Sequence, residues 1–480
     1  MDRDAILLAK EKLKEVMDSD VVMQLIINKG YAGGAAEEIV RQALYELEQE
    51  NEKEVRQKRR KLGTVEFLDR FGFGMSSTQY INIFAFLFGA NLFFIGVIHS
   101  FASALELLLT FLLDNCQRMK IFFKTEISKI FGLASLFLIA YFMFKMNYAG
   151  ILIGMLLYSI FFAFYNYSYP LKSLKILKEE KRGFFLRNVA LFGVFISSAG
   201  MFTTSFILDF FTLNPSKEIV FLGYNLSPPS LLFFLAFVLL LLSWIISLKY
   251  RKVNYIEESP ETFENKGLEN IKAKFKEAFA FSKEIKKDKN LFIFFIGSSL
   301  SFVVSLMIYA YLGIFVYTTL SDVGLGAFRN VALVFIIAMI SSIIGPFVVR
   351  KNAEDIGKLP LLIFGTLLTA LLPFSLYLSH GITSITLATL LGVLGMSISE
   401  TALGLIFMDT IPLEIRKAYF NSVKMLVWLP SLILSIGGAY VASVLGLRVL
   451  FLGLAIVQLC IVFPLYFIML IKTSRKKAIM

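Results

Sequence analysis

The chain has 480 residues, of which 57% are hydrophobic and only 18% charged, and Phe alone accounts for 50; its mean hydropathy is +0.71. A soluble protein of this size cannot hide so much apolar surface, because single cores stop growing at the domain scale, and runs of about 20 apolar residues recur, each long enough to cross a bilayer as a helix. The composition indicates an all-α polytopic membrane protein and excludes a β-barrel, since the runs are continuous and do not alternate.

The first residues, MDRDAILLAKEKLKEVMDSD, are charged and amphipathic and do not form a cleavable leader. Residues 1–62 read as a small helical module. Helical spacing of apolar residues appears in AILLAKEKLKEVM and in AAEEIVRQALYELEQENEKEVRQKRRK, with VVMQLIINKGYAGG and a glycine turn at Gly33 and Gly34 between them. The order short helix, NKGY, further helix resembles a ubiquitin-associated-type three-helix module. The plainer reading is a small cytoplasmic packing or dimerisation domain, and a protein partner of residues 1–62 is one expectation.

Twelve spans follow, near 75–98, 99–116, 127–145, 148–171, 185–210 and 230–249, then 291–318, 328–350, 359–378, 384–408, 416–445 and 447–471. With the N-terminus placed in the cytoplasm, the outer loops or their edges hold only Lys145, Lys217, Arg329 and Arg448, and Lys424 lies inside a span. The other 43 of the 48 Lys and Arg fall on the side of the N-terminal module. This asymmetry puts both termini in the cytoplasm. It also accounts for the net charge of +12 through anionic lipid, without nucleic acid. Cys116 and Cys460 fall at or within spans, and His99 and His380 in short outer loops. Such scattered residues imply no disulfide, metal site or cofactor.

Residues 63–249 thus form one six-span half and 291–471 another. Between them residues 250–290 carry Leu268, Ile271, Phe275, Phe279 and Ile285 at helical spacing among lysines, as in an amphipathic helix on the inner membrane face. Residues 472–480 are a basic tail. The halves repeat at an offset of about 233–234: IFGLASLFL at Ile130 meets IFGTLLTAL at Ile363, and LKEEKRGFFLRN at Leu177 meets IPLEIRKAYFNS at Ile411. Glu180 falls on Glu414, Arg182 on Arg416 and Phe185 on Tyr419. Two halves in one orientation are a parallel repeat, an arrangement on which transporters build alternating access.

Twelve spans, the long middle connection and this repeat resemble the major facilitator superfamily over residues 75 to 471. The loop MDTIPLEIRKAYFNS, with Asp409, Glu414 and Arg416, is similar to that family's acidic–Pro–Glu–x–Arg turn between spans 10 and 11. The family's Gly, Asp-Arg/Lys-x-Gly and basic signature after span 8 survives at altered spacing in GPFVVRKNAEDIGK, with Gly345, Arg350, Lys351, Asp355, Gly357 and Lys358. The copy after span 2 keeps only Asp114, Arg118, Lys120 and Lys124. With Glu180 and Arg182, these are the gating-loop candidates that the resemblance implies.

Glu400 and Lys424 stand twelve residues before and after Pro412. In helices they reach similar depth, about 10–15 Å inside the inner face, where an ion pair would offset part of the cost of each charge. Either Glu400 titrates during transport with Lys424 tuning it, or the pair joins spans 10 and 11. The repeat maps Glu400 onto Asn166. The resemblance implies that spans 1, 4, 7 and 10 surround a central cavity, so Asn82, Asn91, Tyr165, Asn166, Ser301, Ser305 and Tyr309 are lining candidates. Taken singly, each Ser or Asn also suits an interhelical hydrogen bond. Glu106, in span 2, is a third intramembrane acid without an obvious basic partner, either a second proton site or an acid held protonated against a neighbouring helix; Asp209 and Asp409 read as solvated span ends.

No HExxH, GxSxG or Walker motif occurs, so the chain does not read as an enzyme. The expected function is secondary active transport of a small solute, coupled to protons or to sodium. With no mid-membrane arginine pair to clamp an anion, efflux of a lipophilic or weakly polar compound is favoured. The alternatives are a nutrient-uptake symporter and a non-transporting scaffold or sensor acting through residues 1–62.

Overall fold

The computed structural model describes residues 3–14, 19–115, 125–176, 179–213, 219–221, 224–248, 289–321, 324–410 and 413–479, with single positions between 273 and 287. The side chains of 51–62, 113–127, 167–190, 213–226, 410–426 and 472–480, among others, lie outside that description. The amphipathic connection expected within 250–290 lies almost wholly outside the described residues.

The chain divides into two compact units, Met1–Glu66 and Phe67–Met480. In the first, α1 (Arg3–Lys14), α2 (Ser19–Asn28) and the start of α3 (Gly33–Met75) pack around Ala5, Ile6, Ala9, Val22, Ile26, Ile39 and Val40. Lys10 reaches Glu46 at 3.3 Å. The turn after α2 falls at Gly30, whose φ of +100° suits a residue without Cβ, and Gly33 opens the next helix. The expected turn at Gly33 and Gly34 is thereby moved three residues earlier.

The second unit is helical apart from one short hairpin. The remainder of α3 is followed by α4 (Thr78–Leu87), α5 (Leu92–Asn115), α6 (Thr125–Phe144), α7 (Tyr148–Ile176) and α8 (Glu179–Leu213). Next come β1 (Ile219–Phe221) and β2 (Tyr224–Leu226), paired antiparallel with Val220 opposite Asn225, and then α9 (Pro228–Leu248). The other half holds α10 (Lys289–Thr319), α11 (Ala327–Asn352), α12 (Lys358–Leu378), α13 (Ile382–Thr410), α14 (Leu413–Leu445), α15 (Leu447–Val457) and α16 (Phe463–Ile479), the last two joined by a π-turn at Gln458–Val462. Among the described residues nine helices are long and apolar enough to cross a membrane, and Ser128–Phe144 and Pro430–Leu445 are shorter apolar stretches. The end of α3 together with α4 lies where the sequence places the first span.

That first pass differs from the expected 75–98. It begins before residue 75, breaks at Ser76–Ser77 and ends at Leu87; the second pass begins at Leu92, not at 99. The break has a local cause. Ser76 Oγ turns back to donate to Gly72 O at 2.8 Å, and Ser77 leaves the helical region to cap α4, its side chain accepting from Gln79 N. His99, expected in a loop, therefore lies inside α5.

Contacts between the halves follow a two-fold pattern. The first passes meet each other as α4 against α10, while α5 packs on α14 and α8 on α11. Exchanging the halves turns the α5–α14 pair into the α11–α8 pair, as a parallel repeat requires. Gly96 is the tightest point of this seam: a Cβ there would stand 1.9 Å from the Tyr311 hydroxyl and 2.6 Å from Ala439 Cβ. Gly96→Val is therefore expected to lower the unfolding temperature in detergent, at an overpacking cost of about 1–3 kcal/mol. An unchanged melting curve would mean that the halves do not close this tightly.

Candidate functional site

The bundle has a hairpin end, carrying β1–β2 and the α4–α5 and α10–α11 turns, and a linker end, where residues 250–288 connect the halves. A group of hydrogen bonds joins the halves in the hairpin half of the bundle. Gln79 Nε2 donates to Tyr309 O at 2.9 Å and Asn82 Nδ2 to Ala310 O at 3.0 Å. The Tyr311 hydroxyl donates to Leu92 O at 2.9 Å, and the Ser443 hydroxyl to Asn91 Oδ1 at 2.8 Å. Phe328 of α11 packs on Tyr80 and Phe84 of α4 and on Tyr317 of α10, closing the seam with aromatic rings.

The strongest polar link is Asp209 on α8. Oδ1 accepts from Phe328 N at 2.9 Å, and Oδ2 accepts from Arg329 N at 2.9 Å and Arg329 Nε at 3.0 Å. The carboxylate caps the start of α11, where free N–H groups and the helix dipole favour negative charge. Gly326, at φ +129°, admits it: a Cβ there would stand 2.5 Å from Oδ2. The expectation that Asp209 is a solvated span end is thus corrected; it is only 3% exposed. Asp409, in contrast, is exposed and pairs with Lys358 at the linker end.

A cavity of about 350 Å³ opens at the helix break, between the first pass, α5 and α7. Phe73, Ser76, Ser77 and Thr78 line one wall, His99, Ser103 and Glu106 a second, and Met155, Tyr158, Ser159, Phe162 and Asn166 a third. Ser76 and Tyr158 hydroxyls share a 2.7 Å hydrogen bond, and the Asn166 side chain hydrogen-bonds the Glu106 carboxyl. The Nδ1 atom of His99 is buried without a partner among the described residues. No Lys or Arg is among these lining residues.

The sequence candidates divide accordingly. Glu106 and Asn166 come together at the cavity. Asn82 does not line it: its side chain is buried at the seam. Asn91 is not in span 1 but precedes α5, accepting from Phe93 N and Ser443 at the hairpin end. Tyr165 faces away from the cavity and donates to Asp69. Ser301 hydrogen-bonds Tyr466 within its own half, and Ser305 is half-buried on α10. Glu400 is on α13, exposed within the bundle, with the Tyr309 side chain inside its electrostatic reach. Lys424 is on α14, but its side chain lies outside the described residues, as do those of Asp114, Glu180, Arg182, Glu414 and Arg416, and all of Arg118.

One cluster was not anticipated. Lys129 on α6 lies 2.8 Å from Asp69 Oδ2 and 3.0 Å from Oδ1, and donates to Ser243 Oγ at 2.6 Å; Tyr165 donates to Asp69 Oδ2 at 3.1 Å. The charged side chains are 1% and 0% exposed. Lys129 belongs in the interior of the first half, not among the surface basic residues.

Against known proteins, the family model described as Major Facilitator Superfamily matches residues 204–433. That stretch of the chain is similar to the Major Facilitator Superfamily. The solved structures agree in fold. A point variant of the nucleoside transporter NupG superposes with a TM-score of 0.65 at 13% identity, covering 84% of this chain and 98% of that one. A POT family transporter in complex with 5-aminolevulinic acid gives a TM-score of 0.59 at 12% identity, covering 87% and 96%. No curated protein sequence matches the chain. The loop after span 8 is partly visible: Arg350, Lys351 and Asp355 are exposed at the linker end, and Gly345 lets α11 approach Ser397 of α13, where a Cβ would clash with Oγ.

Proposed function

We propose that this integral membrane protein is a proton-coupled secondary active transporter that exports a small lipophilic or weakly polar solute across the cytoplasmic membrane by alternating access. The observation that carries the reading is the distribution of contacts. The halves are latched at the hairpin end, while an acid-bearing cavity lies behind the latch at the helix break. With both termini cytoplasmic, as the basic residues indicate, the hairpin end faces outward and the described state is closed to the outside. Aromatic and hydroxyl groups without arginine or lysine suit a solute of low negative charge.

Glu400 is the proposed coupling acid, and Lys424 tunes it from the neighbouring helix. A proton antiporter reconstituted in proteoliposomes with an internal pH dye is expected to move protons when amphiphilic solutes are added, and Glu400→Gln to reduce that movement to background. Undiminished proton movement in Glu400→Gln would remove Glu400 from the mechanism. Residues 1–66 have a core of their own, which favours a second role as a partner-binding module. A protein that served only as a scaffold would move no solute, with or without Glu400.

A further inference from the structure

We infer that the cavity at the helix break is a two-point site for a compact organic cation, with an amine held at Glu106 and a hydrogen-bonding tip at His99. The inference rests on the transporter reading for its purpose, but its chemistry is that of the cavity alone. Glu106 and His99 are seven residues apart on α5, hence on one face and about 10 Å apart along the axis. Between them the wall is aromatic, with Phe73, Tyr158 and Phe162.

Charge points to the occupant. A carboxylate offers about four acceptor positions, and the Asn166 amide satisfies only part of that capacity. No Lys or Arg among the described lining residues balances it. An intramembrane carboxylate is costly unless paired, and a cavity of about 350 Å³ is far larger than a proton or a single water needs. A protonated amine meets both conditions, and the aromatic rings add cation–π attraction for its charge. At the opposite end, the buried Nδ1 of His99 lacks a partner among the described residues, a deficit that a ligand hydroxyl or N–H repairs.

The test uses the full chain in lipid nanodiscs, with tritiated tyramine as probe and phenethylamine and 4-ethylphenol as competitors. Tyramine carries an amine and a hydroxyl at opposite ends, and each competitor lacks one of them. Tyramine is expected to bind most tightly. Glu106→Gln is expected to weaken both amines at least about tenfold while leaving 4-ethylphenol unchanged. His99→Leu is expected to erase the advantage of tyramine over phenethylamine while leaving phenethylamine unchanged. Variants are compared only as monodisperse protein.

Amines that bind no better than 4-ethylphenol, or that ignore Glu106→Gln, would overturn the cation site. A tyramine advantage that survives His99→Leu would overturn the two-point reading. Binding needs no turnover, so amine binding without any solute flux would sink the transporter reading and leave this site standing. Flux of neutral solutes without amine binding would do the reverse.

Discussion

Asp209→Ala is expected to open the hairpin end. The substitution leaves Arg329 without its carboxylate and strips the two capped N–H groups at the start of α11. Arg329 is 26% exposed, so losing the carboxylate and its two capping hydrogen bonds costs about 2–3 kcal/mol, less than for a fully buried pair, and the loss is expected to fall on the closed arrangement. Such a shift alters the ratio of closed to open molecules by a factor of about 30–150. A cysteine placed at Ala90, which is 3% exposed beside the α4–α5 turn, is the reporter, in a chain with Cys116 and Cys460 replaced by serine. Its reaction with a membrane-impermeant thiol reagent should accelerate by about that factor in Asp209→Ala. Asp209→Asn, which retains one acceptor oxygen, should fall between. Equal reactivity in all three would show that the carboxylate caps a helix without holding the halves together.

Lys129→Met is expected to be the most destabilising single change outside the seam. It leaves Asp69 buried with only Tyr165 of its described partners, and the cost is again about 3–5 kcal/mol. The double variant Asp69→Leu, Lys129→Met removes both charges, and apolar replacement of a buried pair is often neutral. It should therefore recover most of the lost stability, leaving Tyr165 and Ser243 to repack. Thermal unfolding of detergent-solubilised protein, read by fluorescence, checks this as a double-mutant cycle. Additive losses would mean that the two residues act separately. Transport near the parent level in the double variant would confine the cluster to holding α3, α6, α7 and α9 together.

The spans were legible because lipid demands continuous apolar runs, and the parallel repeat because motifs such as IFGLASLFL and IFGTLLTAL survive at a constant offset. Span 1 was misplaced for a physical reason. Its first turns contain Asp69 and Arg70, and its middle contains two serines, so hydropathy alone moved the start to 75 and carried the end into α5. His99 was then displaced into a loop and Asn91 into a helix. Asn82 was read as lining the cavity because a polar side chain on span 1 satisfies two demands equally well, a ligand's and a neighbouring carbonyl's. The register of α4 against α10 decides between them.

Asp69 and Lys129 are 60 residues apart, and nothing local in either helix announces that they meet. The one hint was a charge of each sign just inside an apolar run. Asp209 and Arg329 gave the same hint, and reading Asp209 as a solvated span end and Arg329 as an outer-loop cation missed that they belong to helices packed across the seam. Glu106 was identified as an acid without a basic partner, and with Asn166 it lines the cavity. Glu400 was weighed with Lys424, whose side chain lies outside the described residues.

The central claim is that the two halves rock about a seam that closes and opens at the hairpin end. Spin labels at Tyr148→Cys and Leu445→Cys report on it most directly. Both positions are exposed, one in each half, beside turns of the hairpin end. Pulsed dipolar distances in nanodiscs, with Cys116 and Cys460 replaced by serine, are predicted to show two populations, the shorter being the latched seam. Asp209→Ala should shift weight to the longer distance. A single narrow distance that ignores the Asp209 substitution would contradict the account.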